Sequence, residues 1–253
     1  MPGKSIAFLD DEQWPEEAFG FELPIRSETT ALGIIDVQHY CTDPESDMAH
    51  TVQRHNAALF EDYSRRVEQM LANILRLLDC FRSSRNRVFF TRHGAQLPDG
   101  SDMILRRKGR EDSAHQSTDD ASGHMPVLGS PGCEILEALA PEKGEMILDK
   151  NTSSAFHSTP IDLYLRNMGI ETIVLTGLAA DMCVNVTALD AADRGFHVIV
   201  ASDATATIDP GSAEAVQILF GRVYGYVMKT EDILRWMLTG EVPSRRRLGV
   251  PAD

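Results

Sequence analysis

Residues 172–184 read Thr-Ile-Val-Leu-Thr-Gly-Leu-Ala-Ala-Asp-Met-Cys-Val. The β-branched run 172–176 is typical of an interior strand, Gly177 permits a sharp turn, and residues 179–193 have the composition of a helix. This pattern places Cys183 near the start of a helix that follows a buried strand. There the helix dipole and nearby backbone N–H groups stabilise a thiolate and can bind an oxyanion. A small buried hydrophobe is the alternative for such a cysteine, so a catalytic role needs partner residues.

Five further apolar or β-branched runs predict strands, and helical periodicity fills the segments between them. The strands are predicted at 31–36, 87–91, 146–148, 197–201 and 226–228. The helices are predicted at 51–82, 159–168, 212–220 and 231–238, with Thr159 as N-cap and Pro160 in the first turn. Because the strand runs are almost continuously apolar, both faces of the sheet are expected to be covered. The sequence therefore predicts an α/β fold: a doubly wound, mostly parallel six-stranded sheet in a three-layer, Rossmann-like arrangement.

The chain divides into an arm, a domain and a tail. Residues 1–30 form an acidic arm that packs on a neighbouring element or subunit, or else a disordered tail. Residues 31–240 are predicted to form one domain, and 241–253 a C-terminal tail. Within the domain, 94–130 is a long polar segment, which is typical of an active-site or contact loop.

Composition excludes several classes of function. A net charge of −14 disfavours nucleic-acid and acidic-membrane partners, and the cluster 245–247 is interpreted as a solvated patch. No apolar run approaches the roughly 20 residues that span a bilayer, and no signal peptide is apparent. The cysteines, which lie at 41, 80, 133 and 183, show no C-x-x-C spacing, so a zinc ribbon and a disulfide scaffold are both disfavoured. A reducing cytoplasmic location is expected.

Three polar residues come at or just after the carboxyl ends of predicted strands: Asp36, Lys150 and Cys183. Open α/β sheets bind ligands at that edge. A thiolate nucleophile needs a proton acceptor, which a desolvated Asp36 can supply, and Lys150 can hold both groups through its charge. Taken singly, Asp36 can also be a turn or capping residue, and Lys150 can face solvent.

Four segments together resemble the isochorismatase-like cysteine hydrolase family, in order and over about residues 31–230. The family includes N-carbamoylsarcosine amidohydrolases, ureidoacrylate and biuret hydrolases, maleamate amidohydrolases and nicotinamidases. The segments are Ile35-Asp36-Val37-Gln38, Leu148-Asp149-Lys150, Ser154-Ala155-Phe156 with Thr159, and Gly177-Leu178-Ala179-Ala180-Asp181-Met182-Cys183-Val184.

The resemblance implies that Asp36 is the general base, Lys150 the supporting cation and Cys183 the nucleophile. The implied reaction is hydrolysis of a small carbamoyl, ureido or related amide through a thioester, by a homo-oligomeric enzyme. The oxyanion hole would use the backbone N–H of Cys183 and that of Ala179 or Ala180. The family's non-proline cis peptide bond maps to 179–180.

The chain departs from the family pattern at two places. Ala180 stands where many relatives have Thr, which removes a hydroxyl near the substrate. The nicotinamidase metal motif is missing around His93, where no carboxylate is adjacent, so no metal and no cofactor are expected. The isochorismatases proper lack the cysteine, and Cys183 therefore favours cleavage of a C–N bond over a vinyl ether.

The predicted pocket residues are Tyr40, His93 and Phe156, because each lies beside a motif position. Arg107, or its neighbours Arg106 and Arg110, could bind a substrate carboxylate, although solvated arginines are the alternative. Gln38 is predicted to orient the turn after Asp36. The rival hypotheses are a catalytically silent metabolite-binding relative, a redox sensor at Cys183, and a hydrolase of another amide such as maleamate or nicotinamide.

Overall fold

The strands of this computed structural model, which describes residues 14–15, 20–104 and 126–242, form one parallel sheet. The strands are β1 Thr30–Ile35, β2 Arg87–His93, β3 Met146–Lys150, β4 Thr172–Leu178, β5 His197–Ala206 and β6 Tyr226–Met228. Their order in the sheet is β3-β2-β1-β4-β5-β6, which is that of a doubly wound sheet and confirms the predicted fold class. All five pairings between these strands are parallel, where the sequence predicted mostly parallel strands.

The helices lie between these strands in sequence, except for the last one, which follows β6, and they cover both faces of the sheet. In the described part of the chain they are α1 His39–Thr42, α2 Asp47–His55, α3 Ala57–Ser83, α4 Ala155–Ser158, α5 Ile161–Asn167, α6 Asn185–Asp193, α7 Pro210–Val223 and α8 Thr230–Thr239. Short 3-10 turns are found at Ser27–Thr29, Pro131–Cys133 and Glu137–Leu139. None of these described helices combines the length and the apolarity needed to cross a bilayer.

Alternate residues of β1, β2, β4 and β5 pack in two separate cores, one on each face of the sheet. On β1, Leu32 and Ile34 pack in one core with apolar side chains of α3 and α8. Ala31 and Ile35 point the other way and share a core with residues of α5 and α6. This two-residue period is the pleat of a β-strand, and burying both faces produces the three layers that continuous apolarity predicts.

Several element boundaries differ from those predicted. The predicted helix 51–82 is two helices, because Asn56 leaves the helical region and caps α3 by accepting the N–H of Leu59 at 3.1 Å. The predicted helix 159–168 corresponds to α5, which begins two residues later with Pro160 at its N-cap position, and the separate short helix α4 precedes it. The hydroxyl of Thr159 nevertheless accepts the N–H of Ile161 at 3.2 Å, as a capping side chain does.

Gly177 lies inside β4, and the predicted sharp turn at this position is wrong. Its φ of +103° is favourable only for glycine, and a Cβ there would stand 2.1 Å from the carbonyl oxygen of Ile35. Glycine therefore lets β4 approach β1 closely at the last residue before Asp36.

The described part of the N-terminal arm packs against its own chain. Phe21 stacks on Tyr226, with ring centroids 6.3 Å apart, and the Tyr226 hydroxyl accepts the N–H of Leu23 at 2.9 Å. The guanidinium of Arg222 lies 4.9 Å from the centroid of Trp14. The segment therefore covers the β6 side of the sheet. The rest of the predicted arm, most of the 94–130 loop and most of the tail lie outside the described residues, and the domain limits remain predictions.

Candidate active site

The site forms where the winding of the sheet reverses. β1 and β4 are neighbours, and the chain leaves β1 toward β2 and β4 toward β5, on opposite sides. Such a switch point opens a crevice beyond the carboxyl ends of the strands. Asp36 follows β1 directly, Lys150 is the last residue of β3, and Cys183 lies in the turn after β4. The fold therefore carries the three residues to the same edge of the sheet.

Lys150 and Asp36 form a buried ion pair. The Nζ of Lys150 lies 2.7 Å from Oδ2 of Asp36, and their side chains are 0% and 3% exposed. The same ammonium donates to the carbonyl oxygens of Thr152 and Ser153, each at 3.0 Å. These two hydrogen bonds, together with the ion pair, offset the cost of removing the ammonium charge from water. The alternative of a solvent-facing Lys150 is wrong.

The backbone at Asp36 turns its side chain toward β2 and β3. Its φ is +51°, in the left-handed region that Asp tolerates better than most residues. Simple alternation would place Val37 in the same core as Ile35, but Val37 packs in the other one. The alternation is therefore reversed at Asp36, and the carboxylate lies on the side that Lys150 can reach.

Thr91 is a partner of Asp36 that the sequence reasoning missed. Its hydroxyl donates to Oδ1 of Asp36 at 2.6 Å, and its carbonyl accepts the Asp36 N–H at 3.2 Å. The signal was available, because Thr91 ends the predicted second strand and pairs in register with Ile35. Asp36 is thus a buried carboxylate held by one hydroxyl and one ammonium.

Cys183 lies in a π-helical turn, Ala180–Val184, immediately before α6. The carbonyl of Ala179 accepts the N–H groups of Met182 at 3.0 Å and Val184 at 3.2 Å, which fixes the path of the turn. Cys183 is 5% exposed. Single π-helical turns are frequent at functional sites. The cis peptide bond joins Leu178 to Ala179, so the predicted position 179–180 is wrong by one residue.

His93, at the end of β2, completes the cluster. One ligand atom from each of Asp36, His93 and Cys183 lies within 4.8 Å of the other two. Gln38 holds the backbone of His93, accepting its N–H at 2.8 Å and donating to its carbonyl at 3.3 Å. The Gln38 amide also donates to the carbonyl of Cys133 at 2.7 Å, so it joins three segments.

The other predicted pocket residues are Phe156, Tyr40 and Arg107, and they lie in different parts of the molecule or outside the described residues. Phe156 packs in the core with Phe196, at a centroid distance of 5.9 Å, and the guanidinium of Arg194 lies 5.4 Å from its ring centroid. Phe196 precedes β5 and therefore marks the amino end of the sheet, so we leave Phe156 out of the candidate site. Tyr40 is half-buried and packs beside Ala95, while Arg107 lies outside the described residues.

The other described thiols differ from Cys183 in their surroundings. Burial raises the pKa of Cys41 and of Cys133 to about 12, and burial also raises the pKa of Cys80. At neutral pH these three thiols therefore stay protonated. Each lies outside the cluster formed by Asp36, His93 and Cys183.

Comparison with known proteins places this geometry in a family. The isochorismatase domain model matches residues 30–232. The chain is 26% identical over 179 residues to nicotinamidase 3 of Arabidopsis thaliana, covering 70% of this chain and 83% of that protein. It is 32% identical over 131 residues to the ureidoacrylate amidohydrolase RutB of Methylobacterium radiotolerans, covering 51% of this chain and only 50% of that protein.

The fold has close counterparts among solved structures. The crystal structure of a cysteine hydrolase from Pseudomonas syringae pv. phaseolicola superposes with a TM-score of 0.72 at 24% identity, over 87% of this chain and 97% of that one. This similarity supports the arrangement of sheet and helices. Because the domain model spans most of the sequence and the fold agrees with it, the chain belongs to the isochorismatase family.

Proposed function

We propose that the protein is a cysteine-dependent amidohydrolase. It cleaves the C–N bond of a small carbamoyl, ureido or related linear amide through a thioester and releases ammonia or an amine. The observation that carries the proposal is the meeting of the buried Asp36–Lys150 pair with Cys183 at the switch point of the sheet. The relatives named nicotinamidase and ureidoacrylate amidohydrolase support the reaction class.

In the first half of the reaction Asp36 accepts the proton of the Cys183 thiol. The thiolate attacks the carbonyl carbon, and a C–S bond forms as the carbonyl oxygen becomes an oxyanion. The backbone N–H of Cys183 and that of Ala179 or Ala180 bind this oxyanion. Asp36 then gives its proton to the departing nitrogen, and the C–N bond breaks.

In the second half water replaces the amine. Asp36 takes a proton from a water molecule, whose oxygen attacks the thioester carbon. The C–S bond breaks, the acid product leaves, and the sulfur regains its proton from Asp36. The ion pair with Lys150 keeps the Asp36 carboxylate in place through both halves of the reaction. The net reaction adds one water across the C–N bond.

The substrate-binding part of the proposal is coarser. Tyr40 and His93 are proposed to contact the substrate, because Tyr40 packs beside the residues that follow β2 and His93 lies next to Cys183. Arg107 is proposed to bind a substrate carboxylate through its planar guanidinium. Ala180, in place of a hydroxyl side chain, leaves one donor fewer beside the nucleophile.

The reaction as written needs no cofactor, and the partner is a small molecule. We place the enzyme in the cytoplasm as a homo-oligomer. The four cysteines, all within the described residues, form no disulfide with one another, in keeping with a reducing compartment. Subunit association rests on the family resemblance alone.

The test is ammonia release across four substrate classes: carbamoyl, ureido, maleamate-type and aromatic amides. We expect turnover of at least one class. Replacing Cys183 with Ala removes the attacking atom, and kcat/KM should fall about 10³-fold or more. The matched control is Cys80→Ala, which removes a thiol on α3 far from the reacting groups and should leave turnover unchanged. Normal turnover by the Cys183→Ala variant would refute the scheme.

Thiol labelling separates the hydrolase from its rivals. Because the pKa values of Cys41 and Cys133 are about 12, these residues should resist alkylation near neutral pH. Stoichiometric labelling of Cys183 without turnover of any amide in the panel would favour a silent metabolite-binding protein or a redox sensor. Ammonia release that disappears on labelling would dismiss both.

A further inference from the structure

We propose that Asp36, His93 and Cys183 form a site for a thiophilic divalent ion such as Zn²⁺, and that the bound ion switches the enzyme off. The inhibition rests on the proposed function, whereas the binding does not. Each residue offers one ligand atom, and these atoms lie within 4.8 Å of one another. The residues are 2%, 1% and 5% exposed. In the part of the chain that the structure describes, this is the one such group of His, Cys and carboxylate residues.

The distances suit a small tetrahedral ion after modest movement. Zinc binds thiolate sulfur at about 2.3 Å, and imidazole nitrogen and carboxylate oxygen at about 2.0–2.2 Å. Tetrahedral ligands at those lengths are about 3.3–3.6 Å apart. The three atoms therefore need to approach one another by at most about 1.5 Å, which side-chain rotation can supply. The fourth position is left for water.

The ligand types favour particular ions. One sulfur, one imidazole nitrogen and one carboxylate oxygen form a donor set that suits Zn²⁺, Co²⁺ and Cd²⁺. Mg²⁺ and Ca²⁺ prefer oxygen ligands throughout, and they are expected not to compete. The site should therefore distinguish zinc from the alkaline-earth ions.

The surrounding contacts hold one ligand, the Asp36 carboxylate, and the backbone that carries a second, His93. Thr91 and Lys150 each contact a different oxygen of Asp36. A carboxylate oxygen has two acceptor positions, so one on each oxygen can still bind an ion. Gln38 holds the backbone of His93 at both its N–H and its carbonyl. Contacts to a ligating carboxylate, such as those that Thr91 and Lys150 make, commonly orient the ligand and raise affinity.

The charges around the site favour an ion that binds reversibly over one that is permanently bound. On binding, the S–H bond of Cys183 breaks, a metal–sulfur bond forms, and the proton goes to solvent. The thiolate and the Asp36 carboxylate offset the 2+ charge, while the ammonium of Lys150, 2.7 Å from that carboxylate, opposes it. Because the ion occupies the nucleophile and its base together, catalysis and metal binding exclude each other.

The test uses the full-length protein after treatment with a chelator. Zn²⁺ binding is measured by calorimetry at fixed neutral pH, and Co²⁺ binding by the sulfur-to-cobalt charge-transfer absorption. We expect one ion per chain, no heat with Mg²⁺, and inhibition that a chelator reverses. Cys183→Ser should abolish the charge-transfer band, and His93→Asn should weaken Zn²⁺ binding at least about tenfold.

Matched controls lie elsewhere in the chain. His157→Asn changes an exposed histidine 3.2 Å from Asp190, and Cys80→Ser changes a half-buried thiol on α3. Both should bind Zn²⁺ as the parent protein does. Circular dichroism checks that each site variant is folded, and His93→Gln provides a second replacement if His93→Asn is not.

Each contrary outcome identifies which proposal fails. Unchanged Zn²⁺ affinity in a folded His93 variant, or a charge-transfer band that survives Cys183→Ser, overturns the metal site. Turnover that continues with the ion bound overturns the inhibition. If Zn²⁺ binds with these variant effects but no amide is turned over, the metal site is supported and the proposed amidohydrolase function is overturned. If amides are turned over but Zn²⁺ does not bind, the amidohydrolase function is supported and the metal site is overturned.

Discussion

Two ion pairs begin one residue apart on β3 and differ in almost everything else. Lys150 is fully buried and meets Asp36 at 2.7 Å. Asp149, its neighbour in the chain, is 39% exposed and accepts two hydrogen bonds from Arg92, at 2.7 and 3.0 Å. Arg92 also contacts Glu134 at 2.8 Å. Each pair joins a cation to a carboxylate, and the two pairs differ clearly in burial.

Strand pleating produces the difference. Successive side chains of a strand point to opposite faces, so Lys150 joins the inner side and Asp149 faces outward. A charge pair near water is screened and contributes little to stability. A buried pair is costly to form, and removing one partner leaves the other charge stranded. The buried Asp36–Lys150 pair is therefore expected to be essential to the stability of the site. The more exposed pair of Arg92 with Asp149 is expected to contribute little.

The largest expected effect follows from removing the buried cation. Lys150→Met keeps the length of the side chain and leaves the Asp36 carboxylate buried without its counter-charge. The free energy of unfolding should fall by about 3–5 kcal/mol, measured by urea denaturation. Amide turnover should be lost as well, because Asp36 loses the cation that holds it in place.

A double variant separates stability from chemistry. Asp36→Asn combined with Lys150→Met removes both charges, and replacing a whole buried pair is often nearly neutral. Its stability should return most of the way to that of the parent protein, while turnover stays absent. A double variant as unstable as Lys150→Met alone would show that the cost is not a stranded charge.

Sequence reasoning predicted the interior of the sheet better than its edges. The apolar parts of β1, β4 and β5 are visible as runs, because both faces of the sheet are covered. The polar carboxyl ends of two strands were not predicted. β2 continues to His93 and β3 to Lys150. Both extensions contain charged residues, which hydropathy assigns to loops. These polar ends are the residues that build the site.

The site itself was predictable only where side-chain chemistry gave a signal. Asp36, Lys150 and Cys183 are identified by residue type and by strand ends. The carbonyl groups of Thr152 and Ser153, which bind Lys150, are backbone atoms whose positions no residue pattern records. Phe156 was predicted from its place beside Ala155, and adjacency in sequence does not record which way the short helix α4 directs each side chain.

The next effect concerns the hydroxyl that supports the buried pair. Thr91→Val keeps the shape of the side chain but removes the hydrogen bond to Oδ1 of Asp36. A hydrogen bond to a charged group contributes about 1.5–3 kcal/mol, so stability should fall by that amount. Turnover should fall about tenfold, because Asp36 loses one of its two restraints. Thr91→Ser keeps the hydroxyl and should retain most activity; equal impairment of the two variants would show that the methyl group matters instead.

The smallest effect is expected at the exposed pair. Arg92→Gln keeps part of the aliphatic stem and removes the charge that contacts Asp149 and Glu134, which are 39% and 47% exposed. Stability should fall by no more than about 1 kcal/mol, with less difference at high salt, because water and ions already screen these charges. Steady-state kinetics should show kcat/KM within about threefold of the parent value, since no reacting atom contacts Arg92. A loss of stability comparable to that of Lys150→Met would mean that position in the sheet, rather than burial, separates the two pairs.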